Sequence, residues 1–203
     1  MENYTKNRRI RVVFYGDSRA GSWPGIDHDD YEFINRGIGG ETSFQVLQRF
    51  DQHIRPLQPQ IIICQVGIND LTTIPLCPDQ KENVILKLQA NIKEIVEKSI
   101  AQGSTMILTT IFPIGEVPVE LKLFWSDDVG FAINEVNEFI SSLASENVVI
   151  FDTYSLLVGR NRVIKHEYSE DLLHLNEAGY ELLNDEIGKI MTNLEVFIYG
   201  LKK

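Results

Sequence analysis

Only two cysteines occur in 203 residues, Cys64 inside the apolar run IIICQVG and Cys77 in LCPD. Two thiols in such unlike settings do not make a disulfide framework, and both are expected as reduced thiols of a cytoplasmic protein. A nucleophilic Cys64 is disfavoured, because thiols buried in apolar strands are inert. No uninterrupted apolar run approaches the roughly 20 residues that span a bilayer, which argues against a transmembrane helix. The opening MENYTKNRRIRVV holds no long apolar segment, so no signal peptide is expected. Basic residues are in deficit, 19 Lys and Arg against 29 Asp and Glu, and a formal net charge of −10 opposes nucleic acid and anionic membranes as partners. No low-complexity tract, linker or internal repeat breaks the chain. At this length, with 43% hydrophobic residues, one domain over 1–203 is expected.

What is present alternates. Short apolar runs fall at 10–15 (IRVVFY), 31–35 (YEFIN), 61–66 (IIICQV), 106–112 (MILTTIF) and 148–152 (VVIFD). Four of them are continuously apolar, as strands covered on both faces are. Between them lie amphipathic stretches. Residues 42–54 place Val46, Leu47, Phe50 and Ile54 on one face, with Thr42 as the expected N-cap. Residues 79–102 begin with Asp79 and Glu82 at capping-box spacing and stop before Gly103. A third helix is expected over 126–146, and a fourth from Asn176 to about Asn193. Strand–helix alternation of this kind predicts an α/β fold, a parallel five-stranded sheet with helices on both faces. The apolar tail NLEVFIYGLKK leaves open a longer helix, an edge strand or a subunit contact, the last making a homodimer a candidate assembly.

In open α/β sheets, ligands sit beyond the carboxyl ends of the strands. Gly16-Asp17-Ser18 follows the first strand, and Asn35-Arg36-Gly37-Ile38-Gly39-Gly40-Glu41-Thr42 follows the second. Gly67-Ile68-Asn69-Asp70 follows the third, and Asp171-Leu172-Leu173-His174 precedes the last helix. Each has an ordinary reading as a cap or turn. Together they fit acyl transfer. Ser18 supplies a hydroxyl, which is a weak nucleophile without a base. His174 is the natural base, and Asp171, three residues earlier, can hold its tautomer. The backbone N–H groups of Ser18 and Gly40 and the Asn69 carboxamide are candidate donors to an oxyanion. Asp17 and Asp70 read as loop-holding residues.

These blocks resemble the SGNH, or GDSL-type, hydrolase family: Ser18 in GDS, Gly40 in NRGIGGET, Asn69 in GIND, and Asp171 with His174 in DLLH, followed by LNEAGY. The likeness runs from residue 16 to 180. It implies a flavodoxin-like three-layer sandwich and a serine esterase without metal or cofactor, acting on short-to-medium acyl esters or thioesters. One departure is Arg19, where the family usually has leucine. The expectation is a cation beside the site or along the serine's helix that favours anionic substrates. Trp125, with Phe124, is a candidate acyl-pocket wall, and both fit equally as packing plugs.

The acidic stretch IDHDDYE (26–32) reads as a solvated loop rather than a metal site, since contiguous ligands rarely converge. His53 and His166 read as surface residues. Three other functions remain: a carbohydrate O-acetylesterase with the same machinery, a non-catalytic flavodoxin-like binding module, and a catalytically silent relative acting as an interaction subunit, which the intact Ser18, Asp171 and His174 weigh against. GIGGET lacks a P-loop lysine, which weighs against the second.

Overall fold

The computed structural model describes residues 9–198. Five parallel strands form one sheet in the order β2-β1-β3-β4-β5. They are β1 (Ile10–Gly16), β2 (Tyr31–Gly37), β3 (Ile61–Gln65), β4 (Thr105–Thr109) and β5 (Val148–Phe151). All four pairings are parallel. The α/β expectation is met, in the flavodoxin-like strand order.

Successive strand side chains point to opposite faces, and β1 shows both destinations. Val13 and Tyr15 enter a core with α5 (Lys81–Ala101) and α6 (Asp128–Ser142). Val12 and Phe14 enter a second core with Trp23, α7 (Thr153–Leu157) and α8 (Glu177–Ile198). The two cores explain why β1 and β3 are apolar at nearly every position. β2 is an edge strand, and most of its residues are only half-buried.

Four helix expectations shift, and the one over 126–146 contracts to Asp128–Ser142. The stretch 42–54 is two short helices, α2 (Ser43–Gln48) and α3 (Phe50–His53), broken at Arg49 with φ −92° and ψ 3°. Thr42 is the N-cap of α2, its N–H donating to Gln45 Oε1 at 2.9 Å. Asp79 and Glu82 do not make a capping box. Pro78–Gln80 forms a 3-10 turn, and α5 starts at Lys81 without a side-chain cap. The last helix is capped as expected, with Asn176 Oδ1 accepting the Gly179 N–H at 3.0 Å. It runs past Asn193 to Ile198, so of the readings open for the tail, this part extends the helix. Residues 199–203 lie outside the described residues.

Leu88 on α5 is fully buried in the core beneath the third strand's exit. Leu88→Ala should lower stability by about 2–5 kcal/mol through lost burial and the cavity left behind, read as a fall in the urea midpoint.

Candidate active site

The sheet order reverses between β1 and β3, which makes their carboxyl ends the natural crevice. Backbone contact there is tight. At Gly16, φ is +146°, and a Cβ would fall 1.7 Å from the Gln65 carbonyl oxygen. No other residue fits without moving one of the two strands. Asp17 then caps the four-residue helix α1 (Ser18–Gly21), its Oδ1 accepting the Arg19 N–H at 2.9 Å. The cap leaves Ser18 at the first helical position, directly above the crevice.

The chain brings His174 back from far away. Ser18 Oγ lies 2.9 Å from His174 Nε2. On the other side of the ring, His174 Nδ1 is 2.9 Å from Asp171 Oδ2 and 3.0 Å from Oδ1. A proton on Nδ1 satisfies the carboxylate and leaves Nε2 free to accept from the serine hydroxyl. Asp171 also accepts the backbone N–H groups of Leu173 and His174, at 2.7 and 2.8 Å. Partial burial alone would raise this carboxyl. The bonds from the imidazole and the two N–H groups outweigh it and hold the carboxyl below the usual range.

The facing wall comes from the segments after β2 and β3. Gly40 has φ +78°, a left-handed conformation that suits glycine, and open space lies where a Cβ would point. Asn69 sits on the short helix α4 (Ile68–Leu71), and its Nδ2 donates to the Glu41 carbonyl at 2.9 Å. That bond uses one of two amide protons and ties Asn69 to the residue after Gly40. Asp70 fixes the same two segments together, accepting the Ser43 N–H at 2.8 Å and the Ser43 hydroxyl at 2.7 Å.

The model of the GDSL-like lipase/acylhydrolase family matches residues 12–182. The chain belongs to that family. The GDSL-like hydrolase also resembles solved structures at low identity. A GDSL-like lipase from Bacteroides thetaiotaomicron is 22% identical, with 91% of this chain and 89% of that one covered and a TM-score of 0.67. An acetyl xylan esterase is 21% identical, with 89% and 99% covered and a TM-score of 0.69. An acetylxylan esterase from Geobacillus stearothermophilus is 18% identical, with 87% and 91% covered and a TM-score of 0.59. At these identities the likeness establishes the fold, that of the SGNH hydrolases. No curated protein matches the chain.

Arg19 requires a correction. In this hydrolase it does not face a substrate. The residue is fully buried, and its guanidinium donates to the carbonyls of Leu173, Phe112 and Pro113 at 2.7, 3.1 and 3.3 Å. The side chain one position after Ser18 points inward because the helix turns it away from the serine's side. The expected preference for anionic substrates loses its basis.

Trp125 is half-buried against the first core. It lines an open groove of about 890 Å³ with Lys122, Asp127, Phe131 and Asn161. A second cavity of about 490 Å³ shares Glu116, Asn161 and Val163 with that groove and reaches Asp171. Phe124 is exposed rather than a plug. His166 is exposed, whereas His53 is half-buried, with Nδ1 3.4 Å from Arg49 Nη1. Residues 27–30 are exposed, and among the described residues no three metal-ligating side chains converge. Both cysteines are free, and burial pushes the Cys64 thiol up to about 12.

Arg49 and Glu41 carry weight the sequence reading did not assign. The Arg49 guanidinium donates to Glu41 Oε2, the Arg36 carbonyl and the Gly16 carbonyl, at 2.6, 2.9 and 2.9 Å. It also stacks on the Tyr15 ring, 4.6 Å from its centroid. It therefore ties the Gly40 loop to the end of β1. The signal was an arginine three residues after Val46 and beside Phe50, next to the apolar face of 42–54 and eight residues after a glutamate.

Asp17 is wholly buried, and its Oδ2 has no partner in hydrogen-bonding geometry among the described residues. Burial raises the carboxyl to about 6, against the pull of the Arg19 charge and N–H. A raised carboxyl binds its proton in the native state at pH values where the unfolded chain has released it. Its contribution to stability therefore falls as pH rises from about 4 to about 6. Asn also caps helices well. Asp17→Asn should flatten this slope, measured by urea unfolding of both proteins at pH 4.5 and 8.

Proposed function

We propose that the protein hydrolyses carboxylic esters or thioesters of short-to-medium acyl groups by covalent catalysis at Ser18. The carrying observation is the unbroken chain from Ser18 Oγ to His174 Nε2 and from His174 Nδ1 to Asp171, each link 2.9 Å. Ser18 Oγ attacks the acyl carbon while His174 Nε2 takes its proton. Asp171 holds the ring and favours the imidazolium that forms. The Ser18 and Gly40 N–H groups and the second Asn69 amide proton donate to the oxyanion. His174 then returns the proton to the leaving alcohol or thiol. Water then attacks the acyl carbon as His174 takes its proton, and His174 passes that proton to Ser18 Oγ as the acid leaves, restoring the starting state.

The groove walled by Trp125 is assigned to substrate binding. A second reading, release of acetyl groups from O-acetylated sugars, is supported by the acetyl xylan esterases among the similar folds and by this open groove beside an indole.

Ser18→Ala should lower kcat on p-nitrophenyl acetate by roughly 10⁴–10⁶-fold. Wild-type turnover by that variant would end the reading. Asn69→Ala should lower kcat by about 10²–10³-fold with a small change in KM, the mark of a donor that acts on the oxyanion. Initial rates on acetylated xylo-oligosaccharide and on butyryl thioester would rank the two substrate classes.

A further inference from the structure

We infer that Arg19 is a positioning residue for acyl transfer, its buried guanidinium setting the His174 loop against the serine turn. The inference rests on the reading of Ser18 and His174 as the reacting pair.

Arg19 joins four parts of the molecule. Its backbone N–H donates to Asp17 Oδ1, and its carbonyl accepts the Tyr180 hydroxyl of α8 at 2.9 Å. Its side chain holds the segment after β4 through Phe112 and Pro113 and the base loop through Leu173. The guanidinium also lies 5.1 Å from the centroid of the Phe112 ring.

The Leu173 bond matters most. The peptide unit between Leu173 and His174 is held at both ends: its oxygen accepts from Arg19 Nε at 2.7 Å, and its N–H donates to Asp171 Oδ1 at 2.8 Å. Fixing that plane fixes the direction in which the His174 side chain leaves the backbone. The same arginine is bonded in sequence to Ser18, so the nucleophile and the base take their positions from one rigid fork. A planar guanidinium with donors in fixed directions can serve three carbonyls at once. A lysine offers a point charge on a flexible stem, and a leucine offers no donor. Burial brings the Arg19 guanidinium down to about 10, which leaves it a cation at neutral pH. Among the charges acting on it, buried Asp17 favours the cation most, and Asp171 adds to this.

The test compares Arg19→Leu, Arg19→Lys and Arg19→Ala with wild type and Ser18→Ala, with folding checked by circular dichroism and thermal melting. The readouts are kcat and KM on p-nitrophenyl acetate and the rate at which a fluorophosphonate labels Ser18. Folded Arg19→Leu and Arg19→Lys should lose about 10–100-fold in kcat, as misplacement of a reacting group by about 1 Å does. KM should stay within about twofold, and labelling should slow in parallel. Guanidinium chloride at low millimolar concentration should restore part of kcat in Arg19→Ala, while equal sodium chloride should not. Wild-type kcat in any folded Arg19 variant, alongside an inactive Ser18→Ala, would overturn the positioning role and leave the esterase reading intact. Wild-type turnover by Ser18→Ala would overturn both. If Arg19→Leu does not fold, the kcat and KM of Arg19→Lys decide.

Discussion

Two atoms 156 positions apart in sequence meet at 2.9 Å, Ser18 Oγ and His174 Nε2, and the rest of the site is arranged around keeping them there. Neither residue is held by its own side chain alone. Ser18 is placed by the Gly16–Gln65 approach and the Asp17 cap; His174 is placed by Asp171 and the Leu173 carbonyl. Loops have few hydrogen bonds of their own, so a site built from four loops needs donors that reach between them. Two buried arginines fill that need. Arg49 fastens the Gly40 loop to β1, and Arg19 fastens the base loop to the serine turn.

These arginines bind mainly carbonyl oxygens. Such bonds tolerate burial better than an isolated ion would, because several partial charges share the cation's field. Asp17 bears a burial cost of its own: desolvation raises its carboxyl, and the Arg19 charge with the Arg19 and Gly67 N–H groups offsets only part of it. The acid of the GDS segment thus combines a cap's service to α1 with a strained electrostatic position.

The sequence made the strands and the reacting residues legible for different reasons. Continuous apolar runs reflect burial on both faces, so β1, β3 and β4 could be placed to within a few residues. Ser18, Asn69, Asp171 and His174 stood out because loops after parallel strands gather at one sheet edge. What depended on side-chain direction did not come through. Arg19 follows the serine, and proximity in sequence suggested proximity to substrate; a quarter turn of helix sent it inward instead. Arg49 ends one helix and opens another, a break that apolar periodicity alone does not reveal. The Asp79 cap failed because Pro78 starts a 3-10 turn and moves the helix start to Lys81.

The long separation between Ser18 and His174 has a consequence for the order of events during folding. The first four strands and the serine turn all precede the segment carrying Asp171 and His174 along the chain. Until that segment docks through the Leu173 carbonyl and Tyr180, the serine is an ordinary alcohol. If Ser18 and His174 react as proposed, a half-assembled chain carries no armed hydroxyl, and competence arrives only with the closing of the native topology.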